Sequence, residues 1–191
     1  MHRIRITGVV ILAALAFGVV GVASASAHEF IAKPVKGKVE GVQRANHVFT
    51  TNAGKVSCTK VSSSGEVMEE ISKVTKETVK YSGCLAFGFE AKVSEVKFEF
   101  NAEGTVKLEN TITIEVPEAG CHVTIPPTGN EKLGTISYAN KGATELEVTA
   151  AAKNIHYEAS GGPCGAKAKE TNGEYSGKSA VKVKEGSIQF K

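Results

Sequence analysis

Residues 87–116 read FGFEAKVSEVKFEFNAEGTVKLENTITIEV, and this stretch decides the fold. Phe87, Phe89, Ala91, Val93, then Val96, Phe98, Phe100, then Val106, Leu108, and finally Ile112, Ile114, Val116 alternate with Glu, Lys and Thr. Period-two alternation over the whole stretch predicts four antiparallel strands, one face buried and the other wet. Its central turn is legible residue by residue. Ala102-Glu103-Gly104 fits a three-residue hairpin loop in which Gly104 takes the positive φ that a Cβ would resist. That loop sets Asn101 opposite Thr105, Phe100 opposite Val106, Glu99 opposite Lys107, Phe98 opposite Leu108 and Lys97 opposite Glu109. Apolar residues then meet on one face and opposite charges on the other, each pair contributing roughly 0.2–1 kcal/mol. A one-residue slip would turn every apolar side chain outward, so the register is strongly specified.

Outward from this stretch the same short-strand pattern continues. A strand is expected from Lys55 to Val61, carrying Cys58, after the turn Asn52-Ala53-Gly54; Ser62-Ser63-Ser64-Gly65 reads as a loop. Val67, Met68, Ile71 and Val74 fall near helical spacing, but Thr75, Glu77, Val79 and Tyr81 alternate, which gives a strand from Val74 to Ser82. Further strands follow at Cys121 to Ile125, Leu133 to Ala139, Glu145 to Ala152 and around Ile155 and Tyr157. Asn172-Gly173 is a hairpin signal. After it come Ala180 to Lys184, with Lys178, Lys182 and Lys184 read as the charges of a protected edge, and a last strand Ser187 to Phe190. The segment His28 to Gly41 reads as an edge strand or a loosely held arm. Tyr81-Ser82-Gly83 recurs as Tyr175-Ser176-Gly177, a match of a length that ordinary turns give by chance.

Short strands, Gly-rich turns and no convincing helix make the chain all-β: an antiparallel β-sandwich, with the β-barrel as the alternative. The division of the strands into two cysteine-bearing groups favours the sandwich.

The N-terminus carries an address. Arg3 and Arg5 precede an apolar run from Ile6 to Val22, and Ala25-Ser26-Ala27 supplies small residues for cleavage. The expected organisation is therefore a signal peptide over residues 1–27 and one secreted domain over 28–191, with Ala23-Ser24-Ala25 as a second cleavage position. An uncleaved anchor is disfavoured because the apolar run is at the short end of a membrane span. No later run could cross a bilayer, which leaves no transmembrane segment after cleavage. Taking Arg3 and Arg5 from the 23 basic residues leaves 21 against 20 acidic ones. A near-neutral domain argues against a nucleic-acid partner.

All four cysteines, Cys58, Cys84, Cys121 and Cys164, lie beyond the leader, and an even count in an oxidising compartment predicts two disulfides. Of the three possible connectivities, Cys58–Cys84 with Cys121–Cys164 joins neighbours along the chain. No pair stands at CxxC spacing, so a zinc site is disfavoured.

The search for chemistry is mostly exclusion. Every one of the 20 acidic residues is Glu, which removes Ser-His-Asp triads, aspartic dyads and the DxDxDG calcium loop. Glu95 and Glu99 could pair in glycoside hydrolysis, but they alternate with Lys on a polar strand face, and the chain has no Trp to line a sugar cleft. Cys121-His122 are adjacent in a strand and so point to opposite faces. One sharper idea concerns His28: cleavage after Ala27 would place its imidazole beside a new terminal amine, a copper-binding brace that needs a second histidine from His47, His122 or His156. Phe87, Phe89, Phe98 and Phe100 read as core and, in the alternative, as the lining of a barrel for an apolar ligand. Tyr81, Tyr138, Tyr157 and Tyr175 do not cluster with basic residues.

At Thr50-Thr51-Asn52-Ala53-Gly54, Tyr81-Ser82-Gly83-Cys84, Ala86-Phe87-Gly88-Phe89, Asn101-Ala102-Glu103-Gly104-Thr105 and Asn110-Thr111-Ile112-Thr113-Ile114 the chain resembles small secreted, four-cysteine, β-rich proteins of actinobacterial type. The resemblance implies export and a β fold, and no activity. The leading expectation is a non-enzymatic extracellular or cell-envelope domain without cofactor, acting through its surface on an envelope partner or as a structural component. The alternatives are a carrier of a small apolar ligand in a barrel and a copper protein built on His28.

Overall fold

The computed structural model describes residues 28–191. The signal peptide expected over residues 1–27, with its cleavage position, lies outside them. Fourteen strands follow in order: β1 Phe30–Lys33, β2 Lys38–Thr51, β3 Gly54–Glu66, β4 Ile71–Ser72, β5 Val74–Ala86, β6 Phe89–Val93, β7 Val96–Asn101, β8 Thr105–Leu108, β9 Ile112–Val116, β10 Cys121–Ile125, β11 Gly134–Asn140, β12 Leu146–Ser160, β13 Ala168–Val183 and β14 Ser187–Phe190.

Of the two all-β arrangements open to the sequence, sandwich and barrel, the chain takes the barrel. Antiparallel pairings run β5-β3-β2-β13-β12-β11-β8-β7 and return to β5, which closes an eight-stranded ring. Five of these strands, β2, β3, β5, β12 and β13, are 13–16 residues long and span the whole barrel. The short strands cannot do so, and they close the gap between β5 and β12 in two tiers. In the upper tier Val74 to Val79 pair with β7, β7 with β8, β8 with β11, and β11 with Leu146 to Ala151. In the lower tier Cys84 to Ala86 pair with β6, β6 with β9, β9 with β10, and β10 with Glu158 to Ser160.

The decisive stretch folds as its pattern requires and divides between the tiers. Phe98 faces Leu108, Glu99 faces Lys107, Phe100 faces Val106 and Asn101 faces Thr105, with Gly104 at φ 78°. The Glu99–Lys107 ion pair measures 3.3 Å. The four strands do not form one meander, because β6 pairs with β9 below while β7 pairs with β8 above. Phe87 and Phe89 also depart from expectation. Phe87 adopts φ 56° in the β5–β6 turn, and both rings are exposed at the lower rim, outside the core.

Four other expectations are corrected by long-range pairing. Ser62 to Gly65 is no loop; it continues β3 between β2 and β5. Asn172-Gly173 is no hairpin; both lie within β13, where Asn172 accepts a hydrogen bond from the Tyr157 hydroxyl at 3.1 Å and Gly173 leaves space for Ile155 and Tyr157. Lys178 and Lys182 guard no edge, since β13 is flanked by β2 and β12; they pair outward with Glu147 and Glu145 at 3.4 and 3.0 Å. Likewise Ile155 and Tyr157 belong to the same long strand as Leu146, with Asn154 at φ 58° marking an irregularity.

The two tiers are filled differently. The lower one is solid: Phe49, Ile112, Ile114, Val123, Ile155 and Tyr157 pack with Cys58, Cys84 and Cys121. Both expected disulfides form there, Cys58–Cys84 between directly paired residues of β3 and β5, and Cys121–Cys164 from β10 to the turn at Gly162–Cys164. The upper end is closed by a separate three-stranded sheet, β14-β1-β4, which lays Phe30, Ala32 and Ile188 against Val39, Val181 and Val183. His28 to Gly41 is thus neither an edge strand nor a loose arm: β1 is the central strand of the cap sheet, paired with β14 on one side and β4 on the other, and the chain leads from it into β2.

The disulfides close segments of 26 and 43 residues. Replacing Cys58 and Cys84 together by Ala is expected to lower stability by about 3–4 kcal/mol, from the loop-closure entropy returned to the unfolded chain. Urea unfolding of the double variant checks this; a loss below about 1 kcal/mol would contradict it.

Candidate functional site

Between the solid lower tier and the cap sheet the barrel is hollow. A cavity of about 500 Å³ lies there, within the range of ligand pockets. An eight-stranded barrel is just wide enough for side chains to fill it or for one small ligand to occupy it. Here residue size decides for space. Gly41, Gly65 and Gly177 sit in long strands at inward positions, and none has positive φ, so their role is room rather than backbone freedom. A Cβ on Gly177 would lie 2.4 Å from the His47 ring, and one on Gly41 would lie 2.1 Å from Ser63 Oγ. A Cβ on Gly65 would stand 3.3 Å from Glu77 Cγ. The missing side chains therefore seat three polar groups on the chamber wall.

The wall itself is mainly apolar. Val61, Val79, Phe98, Phe100, Val106 and Ile136 contribute to it. Glu66, Met68, Glu69 and Val74, all exposed, run from the last residue of β3 to the first of β5 and mark the mouth. Of the four phenylalanines read as a possible lining, Phe98 and Phe100 face the chamber and Phe87 and Phe89 do not. Phe30, from the cap, takes their place and meets Tyr138 edge-on at 4.9 Å.

One polar feature is a directed chain of hydrogen bonds. His47 Nε2 lies 3.3 Å from the Lys178 carbonyl oxygen and 3.1 Å from Ser179 Oγ. A carbonyl can only accept, so Nε2 carries the proton and Nδ1 is the acceptor. The Tyr175 hydroxyl, 2.5 Å from Nδ1, therefore donates to it. Tyr175 has then spent its one proton, so the Tyr81 hydroxyl at 3.0 Å donates to the Tyr175 oxygen. The chain ends at Tyr81 with unused lone pairs. Burial pushes the His47 imidazole below its usual pKa, opposed by its bond to the Lys178 carbonyl. Burial likewise raises both phenols. All three groups are neutral.

The spacing of Ser179, His47 and Tyr175 has the outline of a nucleophile, a base and its orienting partner. The tautomer opposes that chemistry. Nε2 already holds a proton and faces Ser179, so it cannot take one from it, and a phenol stands where a carboxylate would stabilise an imidazolium.

The second polar feature is Glu77. It is 7 % exposed, on β5; burial raises its pKa, and the Ser63 hydroxyl opposes this by favouring the charged form. The Glu77 charge in turn adds to the burial that raises the Tyr138 phenol.

The other sequence candidates stand apart. His28 stacks on Phe190 at 5.3 Å, with Nδ1 3.3 Å from the Lys191 carbonyl. His47 is inside the barrel, His122 is exposed beside Glu115 at 3.7 Å, and His156 is exposed on β12. Among the described residues no group of three His, Cys, Asp or Glu is placed to hold a metal. Glu95 and Glu99 face outward in ion pairs with Lys80 and with Lys76 and Lys107. His47, Glu77, Tyr81 and Tyr175 are not legible as a site in the sequence. The available signal is the repeated Tyr-Ser-Gly at 81–83 and 175–177: its two tyrosines are the phenols that meet inside the barrel.

No family model, curated protein or solved structure matches the chain.

Because its folded pKa is raised, Glu77 contributes most to stability below its ordinary value of 4.5, and that contribution is lost as pH rises toward the folded value. Wild type is therefore expected to lose stability relative to Glu77→Gln as pH rises from 4.5 toward neutrality. Urea unfolding of both proteins across that range checks this; a pH-independent difference would contradict it.

Proposed function

We propose that the protein is an exported, non-enzymatic β-barrel that binds one small, largely apolar ligand in the upper-tier chamber. The observation that carries this reading is the chamber of about 500 Å³. A void that size, beside a tier below that is filled by buried side chains, gives up packing energy that larger side chains on its wall would recover. A few fixed polar groups in an apolar hollow are also the usual composition of a ligand site. Export is supported by the leader-like residues 1–27 and by two disulfides, which persist in oxidising compartments. No helix among the described residues is long and apolar enough to cross a membrane.

The expectation of a protein acting through its surface retains one observation. Leu85, Phe87 and Phe89 are 54 %, 39 % and 45 % exposed around the β5–β6 turn, an apolar group at the opposite end from the chamber. It is small, and single exposed apolar residues are common. The chamber is the stronger basis for function.

An uncharged solvatochromic dye such as phenylnaphthylamine tests the reading. Fluorescence enhancement with saturable, one-to-one binding is expected, and Val79→Phe, which fills the chamber, is expected to weaken binding at least tenfold while leaving the fold intact by circular dichroism. Absence of saturable binding, or equal binding by the filled variant, would overturn it.

A further inference from the structure

We infer that the ligand carries a basic nitrogen: the chamber is built for a hydrophobic amine in its cationic form, with the ammonium seated on Glu77 and the apolar part among the aromatic rings. This rests on the proposed ligand-binding role and narrows its chemistry.

Three observations converge on a donor-rich, positively charged head group. The first is Glu77 itself. It lines the cavity, more than nine-tenths buried, and its steadying partner is a neutral hydroxyl, that of Ser63. Burying an ionised carboxylate without a counter-charge is costly. The groups facing it do not supply one: Phe98 stands opposite on β7, Gly65 adjoins it on β3, and Tyr138 is a neutral phenol. Lys76, the lysine on the cavity lining, is already engaged by Glu109 and by Glu99 at 3.4 Å. Among the described residues no positive charge is placed to balance Glu77, and a ligand can supply one.

The second is the polarity of the His47–Tyr175–Tyr81 relay. Its direction is fixed at the Lys178 carbonyl, and it presents to the chamber an oxygen that accepts and has no proton left to give. Glu77 when ionised is also acceptor-only. A ligand bearing N–H donors satisfies both, whereas a carboxylate or phosphate would find acceptors facing acceptors.

The third is the entrance and the wall. Glu66 and Glu69 stand at the mouth, with Lys76, the lysine of the lining, engaged by Glu99 and Glu109, and carboxylates at an entrance raise the local concentration of cations. Inside, Phe30, Phe98, Phe100 and Tyr138 surround the space, and aromatic faces attract a desolvated cation.

The test uses three molecules of one shape: phenylbutylamine, phenylbutanol and phenylbutanoate, titrated calorimetrically at neutral pH into the protein exported and purified with its disulfides intact, as wild type and as Glu77→Gln. The amine is expected to bind wild type at least tenfold more tightly than the alcohol, with the acid weakest. Glu77→Gln is expected to weaken the amine at least tenfold and to leave the alcohol within about twofold. An alcohol or acid that binds as well as the amine would overturn this inference while sustaining the apolar-ligand reading. Failure of all three to bind would overturn both. If Glu77→Gln does not fold, the order of the three ligands on wild type decides the matter alone.

Discussion

The structure depends on how the barrel closes. Five long strands span its full length, and β5 and β12 stand at the two margins of that continuous sheet. Unpaired edges of this length would expose backbone donors and acceptors along the whole barrel. Closure by two independent sets of three short strands satisfies them, and it uncouples the two halves: each set brings its own side chains inward. The lower set brings Ile112, Ile114 and Val123 and fills its tier with them. The upper set brings Phe98, Val106 and Ile136 to a wall on which Gly41, Gly65 and Gly177 seat Ser63, Glu77 and His47, and the tier stays hollow. A solid end stapled by disulfides can hold an unpacked end open, because the same five backbones run through both.

That division also accounts for where polar groups are found. His47 and Glu77 are the buried residues of the described chain, tyrosines and disulfide cysteines apart, that can carry a charge, and both line the hollow tier. Each works against stability in its own pH range, Glu77 as it ionises and His47 as it protonates. Groups whose charge states are displaced by burial and that converge on a cavity are more often functional than structural. A relay with a fixed hydrogen-bond direction adds specificity that an apolar void alone would lack.

The parts of this fold that the sequence makes legible are those governed by neighbours along the chain. The hairpin of β7 and β8 is one, because alternation, Gly104 and the matched charges of Glu99 and Lys107 all fix the same register. The disulfides are another, because pairing of neighbouring cysteines agrees with the strand order. What depends on distant partners is not legible. Ser62 to Gly65 and Asn172-Gly173 have the composition of turns, and only pairing on both sides holds them in long strands. The lysines of β13 look like edge charges until β2 and β12 flank them with glutamates on the outer face. The chamber is hidden for the same reason: His47, Glu77, Tyr81 and Tyr175 come from β2, β5 and β13, and the two tyrosines meet across 94 residues of sequence. Composition alone cannot distinguish a strand glycine that seats a neighbouring side chain from one that ends a strand.

The central claim is that the upper tier encloses real apolar space. Diffraction from crystals pressurised with xenon measures this without any assumption about the ligand, since apolar cavities of adequate size take up the gas. The account predicts a xenon site among Val61, Val79 and Phe98, with none among Phe49, Ile114 and Ile155 below. A barrel whose upper tier is closed over by its own side chains and takes up no xenon would contradict it.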